Sequence, residues 1–187
     1  MKDMRTLFAA AILCFGINFN SLAQGAKIHW MSVEEVEKAM NTEKRPVMMD
    51  VYTSWCGPCK MMMANTFTNP NVISYINKNY YAIKFDAEQP NKVVYQGKDY
   101  NNPTYDPNRR GRNGVHELSR ALKVSAYPTI VYFDEDFKII TANSGYKQPR
   151  QLEMYLKFFN EVFSRDIENE NIQKVWDNYS SNFGGSW

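Results

Sequence analysis

From Ile28 onward, hydrophobic and polar positions alternate in blocks, each with the length and edges of one helix or strand. "SVEEVEKAM" opens with Ser32 and places Glu35 three positions on, a capping box before an amphipathic turn that Arg45-Pro46 terminates. "VMMDVYTS" is mostly apolar and reads as a strand buried on both faces, with one carboxylate, Asp50, inside it. "CGPCKMMMANTF" has good helix formers behind a proline, which a first helical turn accepts. "NVISYINKNY" continues this helix beyond a break at Asn69-Pro70, and "YYAIKFD" is a second buried strand.

The rhythm breaks from about Ala87 to Asn113, a stretch full of Asn, Pro, Gly and Tyr in which "KVVY" alone could form a short strand. It is longer than most connections in a compact domain. Two readings stand: a solvated excursion, or a partner-docking loop carrying Tyr95, Tyr100, Tyr105, Arg109, Arg110 and Arg112. "VHELSRALK" restores a helix. "YPTIVYFD" and "KIITANSG" then read as strands joined by a tight turn at Asp134 to Asp136, and "QPRQLEMYLKFFNEVF" as a long amphipathic helix. Residues 164–187 mix charge with Trp176, Tyr179, Phe183 and Trp187, the pattern of a partly docked extension. The expected architecture is α/β, a central sheet with helices on both faces.

Charge narrows the partners. Lys+Arg 22 against Asp+Glu 20 leaves +2 on 187 residues, and Arg109-Arg110-Gly111-Arg112 is the only dense basic spot, too short for a nucleic-acid site. Lys2 and Arg5 precede an apolar stretch from Thr6 to Phe19, and Ser21 and Ala23 follow at the positions of a small-residue cleavage site. A bilayer span needs ~20 apolar residues, so residues 1–23 read as a cleaved signal peptide. The mature protein is then expected in the periplasm or secreted, with no membrane attachment. Cys14 falls inside that apolar stretch, behind a Leu13 too bulky for a lipobox.

Only Cys56 and Cys59 remain, with Gly57 and Pro58 between them. A structural disulfide, half of a metal site and a reversible redox pair are the three candidates. Closing so short a loop removes little chain entropy, which weakens the first. Met48, Met49, Met61, Met62 and Met63 could offer soft ligands to copper, but methionine is also a common core filler, and no metal is expected. His29 and His116 have no ligand-like spacing and read as surface or capping residues. The third candidate has a physical basis. A cysteine at a helix N-terminus faces unpaired N–H groups and the positive end of the dipole, which favours the thiolate. Cys56 would sit there, exposed, as nucleophile, with Cys59 one turn on as the resolving thiol. Gly57 keeps the approach open, and Pro58 removes a donor that would lack a partner. A buried Asp50 should have a raised pKa.

"VMMDVYTSWCGPCK", followed by "VSAYPTIVYF", "SGY" and a terminal helix, resembles the thioredoxin family over roughly Ser32 to Phe163. "NTFTNPNVISYINKNYYAIKFDAE" is more similar to the C-terminal thioredoxin-like domain of bacterial thiol:disulfide interchange proteins. The resemblance implies a thioredoxin fold over residues 24–163, with the 87–113 segment inserted before the helix that leads to a cis-proline. It implies that Asp50 moves the proton of Cys59 with Lys84 beside it. It also implies that Pro128 is cis and that Tyr127, with Trp55, Gly57 and Pro58, receives the substrate. The function implied is an exported thiol–disulfide oxidoreductase that reduces or isomerises protein disulfides. It would use no cofactor beyond the Cys56–Cys59 pair and draw electrons from a membrane reductant conduit. The alternative is a thioredoxin-like module that binds client proteins or copper without cycling.

Overall fold

The computed structural model describes residues 27–163 and 169–187; the expected signal peptide lies outside them. In chain order the elements are β1 (Trp30–Met31), α1 (Val33–Met40), β2 (Val47–Tyr52), α2 (Gly57–Asn65), α3 (Pro70–Asn79), β3 (Tyr81–Asp86) and the short strands β4 (Val93–Tyr95) and β5 (Lys98–Tyr100). Then come α4 (Glu117–Ala121), β6 (Thr129–Phe133), β7 (Ile139–Ser144), α5 (Pro149–Lys157) with a π turn over Phe158–Val162, and α6 (Asn169–Asn182). Five strands form one mixed sheet in the order β1-β3-β2-β6-β7, and β4 and β5 pair separately. β2 runs parallel to β3 and antiparallel to β6, so it lies at the centre.

Period-two alternation divides the core into two layers. Val47, Met49 and Val51 of β2 join Ile83, Phe85, Val131 and Phe133 on the face covered by α1 and α4. Met48, Ala82, Ile130 and Tyr132 face the other way, onto α2, α3 and α5. Each of the two layers is closed by helices that the sequence marks clearly. Ser32 Oγ accepts the Glu35 N–H and Glu35 returns the bond to the Ser32 N–H, the expected capping box. Asn69 Oδ1 accepts the Asn71 and Val72 N–H groups and caps α3, so "NVISYINKNY" is a new helix with its own N-terminus.

The 87–113 segment is a solvated excursion only in part. Val93 and Tyr95 of β4 are buried in the α1 layer, and the Tyr95 hydroxyl donates to the Phe137 carbonyl at 2.6 Å. Glu34 and Glu37 of α1 accept the Val94 and Gln96 N–H groups, which ties the hairpin edge to the helix. The turn has positive φ at both Gln96 and Gly97, the geometry that matches strand twist in two-residue hairpins. β5 escaped the sequence reading because "KDY" is polar and exposed, and β1 because it has two residues. The last long helix is α-helical only to Lys157. The wider π turn that follows directs both Phe158 and Phe159 inward, where they are buried.

The C-terminal extension docks as its aromatics suggested. Trp176 stacks on Tyr155 at 4.8 Å, and Tyr179 meets Phe158 at 5.3 Å. A buried carboxylate holds the last residues. Glu153 accepts bonds from Lys157 Nζ at 2.8 Å, the Ser186 N–H at 2.8 Å and the Ser186 hydroxyl at 2.6 Å. Burial pushes the Glu153 carboxyl up, but these donors outweigh it and leave its pKa below the usual value.

Glu153→Gln is therefore expected to lower the denaturation midpoint at pH 7, by about 2 kcal/mol, because buried donors lose a charged acceptor. A depressed carboxyl contributes stability above its unfolded pKa and loses it as pH falls through the folded one. The gap between the two proteins should thus narrow below pH ~4. Equal midpoints at pH 7 in a urea titration would refute the anchoring role.

Candidate functional site

The C-terminal end of β2 delivers the chain into a short turn, where the Cys56 N–H donates to the Thr53 carbonyl at 3.2 Å. Cys56 is the N-cap of α2, in an extended conformation, and Pro58 lies in the first turn. Its sulfur accepts the Cys59 N–H at 3.1 Å, so the reactive atom itself satisfies one of the helix's unpaired donors. Cys56 and Cys59 are joined as a disulfide with their Cα atoms 5.3 Å apart.

The peptide bond between Tyr127 and Pro128 is cis, as the resemblance implied. Tyr127 stands outside the β6 ladder, which starts at Thr129. Thr129 Oγ1 donates to the Ala126 carbonyl at 2.7 Å, and the Pro128 carbonyl accepts the Gly145 N–H at 2.8 Å; together these bonds fix the turn. The ring of Tyr127 meets Trp55 edge-on at 6.0 Å.

One expectation fails. Cys56 is only 3% exposed rather than open to solvent. It lies at the floor of a cleft of about 740 Å³ whose walls include Trp55, Pro58, Glu88, Arg112, Arg120 and Tyr127. The covering residues come from the end of the inserted segment and the connection into β6, which local sequence around the cysteines does not reveal. Glu88 was also missed. Its Oε2 accepts the Trp55 indole N–H at 2.9 Å, and its own N–H donates to Asp86 Oδ1 at 2.9 Å. The signal was its position just past β3, whose end abuts the Cys56 turn.

Asp50 projects from β2 on the α2 side and is 2% exposed, and its Oδ1 has no hydrogen-bond partner. Burial pushes its pKa up to about 7, with the Lys84 charge pulling the other way. Lys84 lies directly across the β2–β3 register from Asp50. Its ammonium is held by Met63 Sδ at 3.0 Å and by the face of Tyr52 at 4.8 Å. Lys84 and Cys59 line a common hollow of about 360 Å³. Lys84, the cross-strand neighbour of Asp50, thus shares a hollow with Cys59, while Trp55 and Tyr127 share the cleft with Cys56.

The remaining candidates disperse. Met48 and Met62 are buried in one core layer and Met49 in the other, while Met61 is 53% exposed. Among the described residues no three His, Cys, Asp or Glu side chains cluster as metal ligands. His116 is the expected capping residue, but a buried one: Nδ1 accepts the Leu118 N–H, and Nε2 meets the Asn91 carbonyl at 3.0 Å.

Comparison with known proteins places this geometry. The thioredoxin-like domain family matches residues 33–160. A thiol:disulfide interchange protein DsbD of Campylobacter jejuni is 30% identical over 102 residues, covering 51% of this chain and 18% of that relative. A thioredoxin of Mycoplasmoides gallisepticum is 23% identical over 129 residues, 69% of this chain and 98% of its own length. Among solved structures, a putative disulphide-isomerase from Bacteroides thetaiotaomicron superposes with a TM-score of 0.51 at 23% identity, over 76% of this chain and all of that one (100%). The architecture, the paired cysteines and the family match agree, and the chain belongs to the thioredoxin-like domain family.

Proposed function

We propose that the protein is an exported thiol–disulfide oxidoreductase that reduces or isomerises disulfides in client proteins. The observation that carries this reading is the Cys56–Cys59 disulfide at the N-terminus of α2, opposite the cis bond before Pro128. In the reducing direction the Cys56 thiolate attacks a client sulfur, forms a mixed disulfide and expels the first client thiolate. Asp50 takes the proton of Cys59, whose thiolate attacks Cys56 Sγ and releases the second client thiolate. The client gains two electrons, and the pair ends as the disulfide seen here. Tyr127 offers its backbone to an extended client segment, and Trp55, Gly57 and Pro58 form the rest of the platform.

Export is inferred from the leader-like residues 1–23, and a membrane reductant conduit as electron donor follows from export. Among the described residues no helix is long and apolar enough to cross a membrane. The partial likeness to DsbD supports disulfide exchange as the chemistry. A binding module that never cycles is the second reading, and turnover separates the two.

With dithiothreitol as reductant, the mature protein should reduce insulin disulfides, and Cys56→Ser should abolish this. Cys59→Ser should instead accumulate a mixed disulfide, visible on non-reducing gels. Full activity in Cys56→Ser would dismiss the assigned nucleophile, and absence of turnover in the wild type would leave the binding module.

Asp50→Asn tests the proton acceptor. A carboxyl whose folded pKa is raised holds its proton more tightly in the folded state, so it lowers stability as pH rises from about 4 to 7. The variant should therefore be harder to unfold, by roughly 4 kcal/mol above pH 7 and by little below pH ~4. Its turnover should fall by at least ~10², with the pH dependence near 7 removed. An unchanged rate profile between pH 6 and 8 would reduce Asp50 to a structural role.

A further inference from the structure

Charges of both signs surround the reactive sulfur. Two acids lie at this end of the sheet, and both are already engaged: Glu88 accepts the Trp55 indole N–H, and Asp86 accepts the Glu88 N–H. Two arginines line the same cleft as Glu88, and among the described residues neither forms an ion pair. The Arg112 guanidinium lies over the Trp55 ring at 4.5 Å. Stacking occupies its face and leaves the N–H edge, the part that grips a carboxylate in a fork, without a partner. Among the described residues Arg120 has no ion pair, and its charge is felt at the Tyr127 hydroxyl after those of Glu88 and Asp86. Lys44, Arg45, Lys92 and Lys157, by contrast, each sit on an acid.

Arg112 is also held in place. Asn113 bonds the Asp106 backbone twice, at 2.8 Å each, closing the loop that carries the arginine. Asn102 Nδ2 donates to the Gly114 carbonyl at 2.7 Å. A Cβ at Gly114 would approach the Thr104 backbone to 2.4 Å, so only glycine permits the strands of the loop to come this close.

We infer that this cleft selects polypeptide clients with acidic side chains beside the reactive disulfide, and that Arg112 and Arg120 read those carboxylates. The inference rests on the oxidoreductase reading above. An extended segment laid along Tyr127, with its cysteine over Cys56, passes between the two guanidiniums. An Asp or Glu next to that cysteine completes a charge-assisted pair that the protein itself leaves open.

The test uses pre-reduced mature protein in single-turnover reactions, in which the Cys56–Cys59 dithiol supplies both electrons. The substrates are three synthetic peptide disulfides that differ only in flanking Glu, Gln or Lys, with hydroxyethyl disulfide as an uncharged probe. The Glu peptide should react roughly five-fold faster than the Gln peptide at low salt, the Lys peptide slower, and the differences should shrink as salt rises. The Arg112→Gln, Arg120→Gln double variant should bring the Glu:Gln ratio to about one, and Arg112→Glu with Arg120→Glu should invert it. The ratio is read within each protein, so a uniform change of rate drops out. Equal rates for the three peptides in the wild type would overturn the inference, as would a Glu preference that survives in the double Gln variant. If the wild type fails to reduce even hydroxyethyl disulfide, the oxidoreductase reading falls and takes this inference with it.

Discussion

β2 is hydrogen-bonded on both sides, to β3 along its whole length and to β6 over Val47–Val51, and is packed between two helical layers. A strand held in this way has no freedom to rotate or slide, since one step of register would move Met48 and Asp50 to the wrong face. Everything chemical in the molecule is referred to its end. Asp50 is placed behind α2, Cys56 is placed at the helix N-terminus, and β6 starts from the cis-proline turn beside it. The rigidity of one strand thus sets the relation between Cys56, Asp50 and the Tyr127 backbone.

This placement imposes opposing conditions on neighbouring groups. Asp50 is kept from water and from hydrogen-bond donors, which holds its pKa about where a proton can be taken or returned near neutral pH. Cys56 is equally buried but faces the helix N–H groups, which favour negative charge on sulfur. Two groups of similar burial therefore face opposite surroundings: Asp50 Oδ1 meets no donor, whereas the Cys56 sulfur accepts the Cys59 N–H. Glu153 repeats the lesson away from the site, since its donors overcome its burial entirely.

Much of this was written in the sequence where a local rule decides the outcome. Apolar runs gave β2 and β3, Ser32 and Glu35 gave the start of α1, and the spacing of Cys56 and Cys59 pointed to a paired disulfide before any coordinates. The cis bond before Pro128 was expected from resemblance, not from any local pattern. What stayed hidden depends on contacts between distant residues. Nothing local says that Val93 and Tyr95 would enter the α1 layer, that Glu88 would take the Trp55 indole, or that Arg112 would lie over it. The burial of Cys56 was missed for the same reason: its cover is supplied from far along the chain. Ser186 and Glu153 are likewise joined across a separation no periodicity reports.

The inserted hairpin is anchored in the core at one end, while Asp106 and Asn113 close the other into a small loop of its own. That division separates two kinds of sequence constraint. Changes at Val93 or Tyr95 would be felt as lost packing, whereas residues 107–112 are exposed and contribute nothing to either core layer. This stretch, which brings Arg112 to the cleft at Cys56, can thus be rewritten with little cost to the scaffold, so its surface can diverge while the strands beneath it stay fixed.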